Sequence, residues 1–437
     1  MSTALIGALI LVVTVVLIFL GVHIGVALLT MGLVGVWILI GDFSIAGSML
    51  GTGTFYAVFN YSFAVIPLFI LMGLFANASG ASTDLYKSGF AWFGRLPGGL
   101  GIVTVVANAV FAAVTGVSVA SAAVFGKIAV PEMLKYGYSK RFSVGCVCGS
   151  SALGMLVPPS LMLIVYGLLS GESIGKLFIA GIIPGIVLSV LYSLFIGFRA
   201  HFFPKSLGDP IKPEAMSWAD RFRALGKAGS VFCLVVAVLG GIYGGVFTPT
   251  EAGAVGCVVS LLILILKGRF TMGTLKHTLM DTGFTSSSVF LLIIGAQIFS
   301  RMLSMSGLVD SLSTFAVSLD VNRYVVFIFI VLILMLLGTF LDVVSILIIS
   351  MPILLPIVQE LGFNLLWFGI VATISIETGL ITPPFGMSVF VVKGAVGDLL
   401  EIEDIFIGSF PFLLLILLTV LVLTVFPDLV TWLPKLM

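Results

Sequence analysis

Two carboxylates and a few hydroxyls stand inside otherwise apolar stretches of this 437-residue chain: Asp342, Glu377, Ser118, Ser121 and Thr382. A charge at membrane depth costs roughly 2.5 to 3.5 kcal/mol on insertion scales, so Asp342 and Glu377 are candidates for a substrate or gating role, against the plainer reading of a structural, hydrogen-bonded carboxylate. Beside them lie two helix-breaking runs, Gly-Met-Leu-Val-Pro-Pro at 154–159 and Gly-Leu-Ile-Thr-Pro-Pro at 379–384, 225 positions apart. An interior proline removes an N–H and clashes with the carbonyl four back, a cost of about 3 kcal/mol, so each helix stops there. Stopped helices offer free carbonyls at their C-termini and free N–H groups at their N-termini; the first suit cations, the second anions. Hydroxyls of Ser118 and Ser121 with carbonyls around Gly154, Val157 and Pro159 make one oxygen set for an alkali cation. Gly338, Gly379, Thr382 and Phe385 make a second. Close helix packing also asks for small residues at such places, and that alternative stands beside the first.

Serine chemistry fares worse. A nucleophile at Ser118, Ser121 or Ser150 needs a base at the same depth, and His23, His201 and His277 fall at a span end or in loops. An intramembrane hydrolase is thus a remote alternative, and the chain is expected not to be an enzyme. No Gly-rich loop followed by Lys and Ser/Thr is present to hold a nucleotide phosphate. Cys146 and Cys148, two apart, point to different faces of a helix and so form neither a metal clip nor a disulfide. Neither a transition metal nor an organic cofactor is expected.

The elements that must position these groups follow from composition and period. With 60% hydrophobic and 9% charged residues and a mean hydropathy of +1.29, the chain reads as an all-α polytopic membrane protein in a lipid bilayer. The net charge of +1 is spread over short loops, with no patch for nucleic acid. A span takes roughly 20 apolar residues; candidates at 5–20, 22–41 and 54–78 recur 225 positions later at 230–245, 247–266 and 279–303. The register continues through Pro131 and Pro356, Gly154 and Gly379, Pro159 and Pro384, the mark of an internal duplication. Amphipathic segments follow at 81–97 and 306–322; in the second, Leu308, Leu312, Phe315 and Leu319 recur at helical spacing, as in helices that lie at the interface.

Apolar stretches 99–131 and 324–355 are over 30 residues long and interrupted at Thr115–Ser121 and Gly338–Asp342. Each is one tilted span or a re-entrant hairpin of two half-helices, and loop charge decides between them. Five spans per half, with the N-terminus outside, puts fifteen Lys and Arg in the cytoplasm against four outside. Six per half would move Lys135, Lys140 and Arg141 outward, against that bias. The chain therefore reads as two inverted repeats, each with five spans, an interfacial arm helix and a re-entrant hairpin. The first covers 1–199, with its hairpin about 99–131 and broken helix about 142–170. A cytoplasmic linker covers 200–228. The second repeat covers 229–437, with its hairpin about 324–355 and broken helix about 364–394. Both termini are expected to be periplasmic. A matched pair of broken helices is also the pointer to a secondary transporter's midplane site.

The run Ser-Ala-Leu-Gly-Met-Leu-Val-Pro-Pro-Ser at 151–160 and the run Glu-Thr-Gly-Leu-Ile-Thr-Pro-Pro-Phe-Gly-Met at 377–387, in this order and chain length, resemble the large membrane subunit of the tripartite ATP-independent periplasmic (TRAP) transporters. The resemblance spans essentially the whole chain. It implies an elevator-type fold and sodium symport of an organic acid anion, in the bacterial inner membrane. It implies two partners, a small four-helix membrane subunit and a soluble periplasmic substrate-binding protein; with no such segment before Met1, the small subunit is expected as a separate chain. Na+ is then the coupling ion, with one family sodium site falling on Ser118, Ser121, Gly154, Val157 and Pro159, and the other on Gly338, Gly379, Thr382 and Phe385. The rival within transport is a stand-alone divalent-anion/sodium symporter, which shares the inverted-repeat logic.

Overall fold

The computed structural model describes residues 2–437 except Lys212, Ala215, Leu319 and Asp320, and among the described residues regular structure is helical. Lys212 of the expected linker and Leu319 of the second amphipathic segment thus lie outside the described residues.

Helices α1 (Thr3–Phe19), α2 (Ile24–Ile40), α3 (Phe43–Phe59) and α4 (Val65–Ala78) open the chain, followed by an amphipathic α5 (Ala81–Phe93). Helix α3 starts well before the expected residue 54. Asp42 caps it by accepting from Ser44 N–H at 2.7 Å, whereas its Gly47, Gly51 and Gly53 lower the local hydropathy and hide it from an apolar count. Asn60 ends it and caps a short 3₁₀ turn that leads into α4.

Next come α6 (Gly99–Thr115) and α7 (Ser118–Lys135), then α8 (Lys140–Ser151), a single turn α9 (Leu153–Leu156), α10 (Leu161–Ser170) and α11 (Ile174–Phe202). Helices α6 and α7 double back on each other. Thr104 near the start of one lies 3.6 Å from Met133 Sδ near the end of the other, and the Phe111 and Phe125 rings meet edge to face at 5.6 Å. One continuous tilted helix is excluded. The turn needs Gly116, whose φ of 62° is left-handed. Pro131, where the sequence ends the hairpin, sits inside α7, which runs a further turn to Lys135. A proline forfeits one backbone bond without ending a helix whose flanks are packed.

The second half opens with α12 (Trp218–Val235), a π turn and α13 (Gly241–Tyr243), so that helix starts inside the stretch expected as linker. It continues with α14 (Pro249–Leu266), a 35-residue α15 (Met272–Ser306), α16 (Leu308–Ser318), α17 (Arg323–Phe340) and α18 (Val343–Glu360). The last two also fold back, since the rings of Phe327 near the start of α17 and Phe363 just past α18 meet at a tilt, 5.4 Å apart. Then α19 (Leu365–Gly379) and α20 (Met387–Val396) flank the second proline pair, and α21 (Ile402–Val425) and α22 (Asp428–Thr431) close the chain. Helices α7 and α18 begin 225 positions apart and are equally long, and α8 and α19 also begin 225 positions apart. Both proline pairs, Pro158-Pro159 and Pro383-Pro384, are joined by cis peptides.

Nine helical segments among the described residues are long and apolar enough to cross a membrane. Small residues set the tightest contacts between them. A methyl at Gly32 of α2 would stand 2.9 Å from the Phe299 backbone nitrogen of α15, and one at Gly145 of α8 would collide with the Gly408 carbonyl of α21.

Candidate functional site at the hairpin tips

Each fold-back ends on the break in a neighbouring helix. At the first, Leu161 N–H donates to the Gly116 carbonyl at 3.2 Å, and a methyl on Gly154 would stand 2.6 Å from Ser118 Cα. The tip Gly116 abuts Pro159 O. The junction thus brings Ser118 against Gly154 and the tip against Pro159, with Ser121 one turn further along α7. Val157 lies in the same gap, with its side chain turned away against Gly185 of α11. Ser118 and Ser121, three apart and so on one face of α7, are fully buried, and neither hydroxyl has a hydrogen-bond partner among the described residues. Orphaned hydroxyls in a protein interior cost free energy unless something satisfies them, and a cation ringed by oxygens does so.

At the second junction Gly338 and Gly379 touch back to back: a methyl on Gly338 would stand 2.6 Å from Ile376 O and 2.9 Å from Gly379 Cα. Thr382 N–H donates to Gly379 O at 3.0 Å. The Thr382 hydroxyl donates to Thr378 O at 2.6 Å, which leaves its lone pairs to accept. Phe385 is exposed and packs against Phe340, just before the second tip, at 5.5 Å. Its side chain is therefore no oxygen donor, and only its carbonyl can serve.

The two carboxylates have different surroundings. Asp342 is the N-cap of α18, accepting from Ser345 N–H at 3.1 Å and from the Ser345 hydroxyl. Glu377 is buried in α19 and turns its carboxyl toward the Ser118 hydroxyl of the first junction. The approach stops short of a hydrogen bond, since Glu377 Oε1 also lacks a partner among the described residues. Glu377, on the helix that ends at the second break, thus approaches the hairpin tip of the other half of the chain. Ser150, the third serine weighed as a nucleophile, donates to Cys146 O at 2.6 Å and accepts from Asn108 Nδ2 at 2.7 Å. The second bond ties α8 to α6.

Between the junctions lies a cavity of about 510 Å³. Val119 of α7, Leu161 of α10, Val343 of α18 and Met387 of α20 line it, each at or next to the first residue of its helix. Four helix N-termini converge on this space and favour an anion, opposed by the Asp342 carboxylate that caps one of them. Its remaining wall comes from the α1–α2 loop, including His23, and from Thr285 and Ser288 of α15. No sequence period pointed to His23 or to these α15 hydroxyls, because contacts between distant helices leave no local signal.

Residues 11–429 match the family described as "Tripartite ATP-independent periplasmic transporter, DctM component". The chain belongs to that family. It is similar to the C4-dicarboxylate TRAP transporter large permease protein DctM of Pseudomonas aeruginosa, 32% identical over 86% of this chain and 87% of that protein. It is also similar to the sialic acid TRAP transporter large permease protein SiaM of Vibrio cholerae, 30% identical over 86% of this chain and 87% of that one. In fold alone it is similar to the Alcanivorax borkumensis YdaH transporter, with a TM-score of 0.59 at 15% identity, covering 89% of this chain and 88% of that one. The chain is accordingly a transporter permease component, multi-pass in a membrane, and not an enzyme.

Proposed function

We propose that this large permease chain carries an organic acid anion inward with sodium, through an elevator movement of the hairpins and broken helices against the remaining helices. The observation that carries the reading is the first junction, where Ser118 packs its backbone against Gly154 and the fully buried hydroxyls of Ser118 and Ser121, on one face of α7, lack partners among the described residues. Sodium at Ser118, Ser121, Gly154, Val157 and Pro159 holds the first tip to its break. A second sodium at Gly338, Gly379, Thr382 and Phe385 holds the other. With both tips fixed, the four helix N-termini form the anion site in the cavity between them. Sodium enters down its gradient at roughly 2.3 kcal/mol per charge per 100 mV, which supplies the work.

The same reading takes the halves 1–199 and 229–437 as inverted repeats with re-entrant hairpins in the bacterial inner membrane, and both termini in the periplasm, as the loop charges favour. Its partners are a small four-helix membrane subunit and a soluble periplasmic protein that delivers the anion, in keeping with a family described as tripartite.

The test is thermal unfolding of the purified membrane complex in sodium, potassium or choline chloride at equal ionic strength. A native-state ligand at a hundredfold excess over its Kd adds about 2.7 kcal/mol. The expected result is a sodium-specific rise that shrinks in Ser118→Ala. Equal unfolding in all three salts, together with uptake that persists in sodium-free buffer, overturns the coupling.

A further inference from the structure

We propose that His23 makes this permease selective for organic acids with two negative charges, a reading that rests on anion transport through the central cavity. The cavity wall carries two kinds of anion-recognising group, on different parts of the chain. One is the set of helix N-termini at the tips and breaks, of which those of α7 and α20 have no side-chain cap. The other is His23, in the α1–α2 loop on the far wall. His23 precedes α2 without capping it, so its imidazole is not spent on its own helix. Among the described residues it is the one basic side chain lining the cavity, and Asp342 the one acidic side chain. Asp342 is already engaged with the Ser345 backbone and hydroxyl. The other elements facing His23 there, the α15 wall with Thr285 and Ser288 and the tip residues Val117, Val119, Leu161 and Met387, carry no charge.

A small acid in a space of about 510 Å³ therefore places one carboxylate at the helix N-termini and the other against the imidazole. A singly charged acid uses the first pole alone. An imidazole offers a carboxylate an N–H donor, and a lysine in its place offers a fixed positive charge. Any movement that parts the tips from the α1–α2 loop breaks that contact, so the second charge is also read at a particular stage of the cycle.

The experiment is uptake of succinate, gluconate and N-acetylneuraminate by proteoliposomes holding the membrane complex with its binding protein. Wild type is compared with His23→Asn and His23→Lys. For succinate the KM of His23→Asn is expected to be about three- to fivefold above wild type, the size of a partly screened polar contact, with kcat and the KM for a monoanion unchanged. His23→Lys is expected to keep or lower the succinate KM. A His23→Asn KM that is unchanged for succinate, or raised equally for the monoanions, overturns the proposal and assigns His23 a structural role. Wild type carrying a monoanion but not succinate overturns it too, while leaving anion transport standing. Uptake of none of the three sinks the transport reading itself.

Discussion

Glu377 of α19 turns its carboxyl toward the hydroxyl of Ser118 at the start of α7, 259 positions earlier in the chain, and Glu377 Oε1 and Ser118 Oγ are both buried without a hydrogen-bond partner among the described residues. The broken helix of one half thereby meets the hairpin tip of the other. Two unsatisfied buried oxygens, one of them on the residue packed against the Gly154 backbone, are costly for a bare interior and suit a cation. The relation has an energetic signature. If one sodium bridges both groups, Ser118→Ala and Glu377→Gln each shrink the sodium-induced rise in unfolding temperature, and the double variant loses little more than either alone. Coupling of about 0.5–3 kcal/mol is expected for residues that share a partner. Additive losses in the four-point cycle would mean that the two groups act separately.

Backbone contact at both junctions leaves no room for a methyl group. Gly154→Ala drives Cβ against Ser118 Cα at 2.6 Å, and Gly338→Ala drives it against Ile376 O at 2.6 Å. Both obstacles are backbone, which cannot rotate aside. Overpacking of this kind costs about 1–3 kcal/mol, read as a lower unfolding temperature together with weaker sodium dependence. Gly394 of α20 has no outside atom within 4 Å, so Gly394→Ala serves as the control, with helix propensity favouring the alanine by roughly 0.5–1 kcal/mol. Comparable losses in all three variants would show that the junctions have no special tightness.

The breaks were legible in sequence because proline and glycine act locally. The doubled prolines at 158–159 and 383–384 sit in the gaps after Leu156 and Gly379, and Gly116 supplies the left-handed turn that folds α6 onto α7. Single prolines act more weakly: Pro131 and Pro356 lie inside α7 and α18, because neighbouring helices hold a helix past one missing bond. Helix α3 escaped notice for the opposite reason: its glycines keep it from looking apolar, and its cap at Asp42 carries no hydropathy. The candidate ligands were found as residue types beside a break. What they meet was not legible, since the approach of Glu377 to Ser118 and the placing of His23 in the central cavity depend on contacts between distant segments.

Lys267, at the end of α14, donates to Asp84 of α5 at 2.6 Å, with both side chains about one-fifth exposed (21% and 23%). The pair ties the first amphipathic helix to the connection between α14 and α15. Removing one member of a partly buried pair strands the other charge, whereas removing both spares that cost. Lys267→Met or Asp84→Asn alone is expected to lose about 1–2 kcal/mol after screening by solvent, and the double variant less than the sum. Unfolding temperatures across the four proteins decide it, and a strictly additive result would assign the pair no mutual stabilisation.

Asp342 presents two roles that one substitution can separate. As N-cap it accepts from Ser345 N–H at 3.1 Å, and losing a cap to alanine costs about 1 kcal/mol, whereas asparagine caps about as well. As a lining residue of the cavity it also places a negative charge where an anion is to sit, opposing the helix N-termini around it. Asp342→Ala is therefore expected to lower the unfolding temperature and disturb transport. Asp342→Asn should keep the unfolding temperature while lowering KM for the transported anion, because the cap survives and the repulsion does not. If Asp342→Asn leaves KM unchanged, the carboxylate acts only on α18. If it abolishes uptake at full stability, the negative charge itself is needed, and a cation held between Asp342 and the substrate becomes the better account of the site.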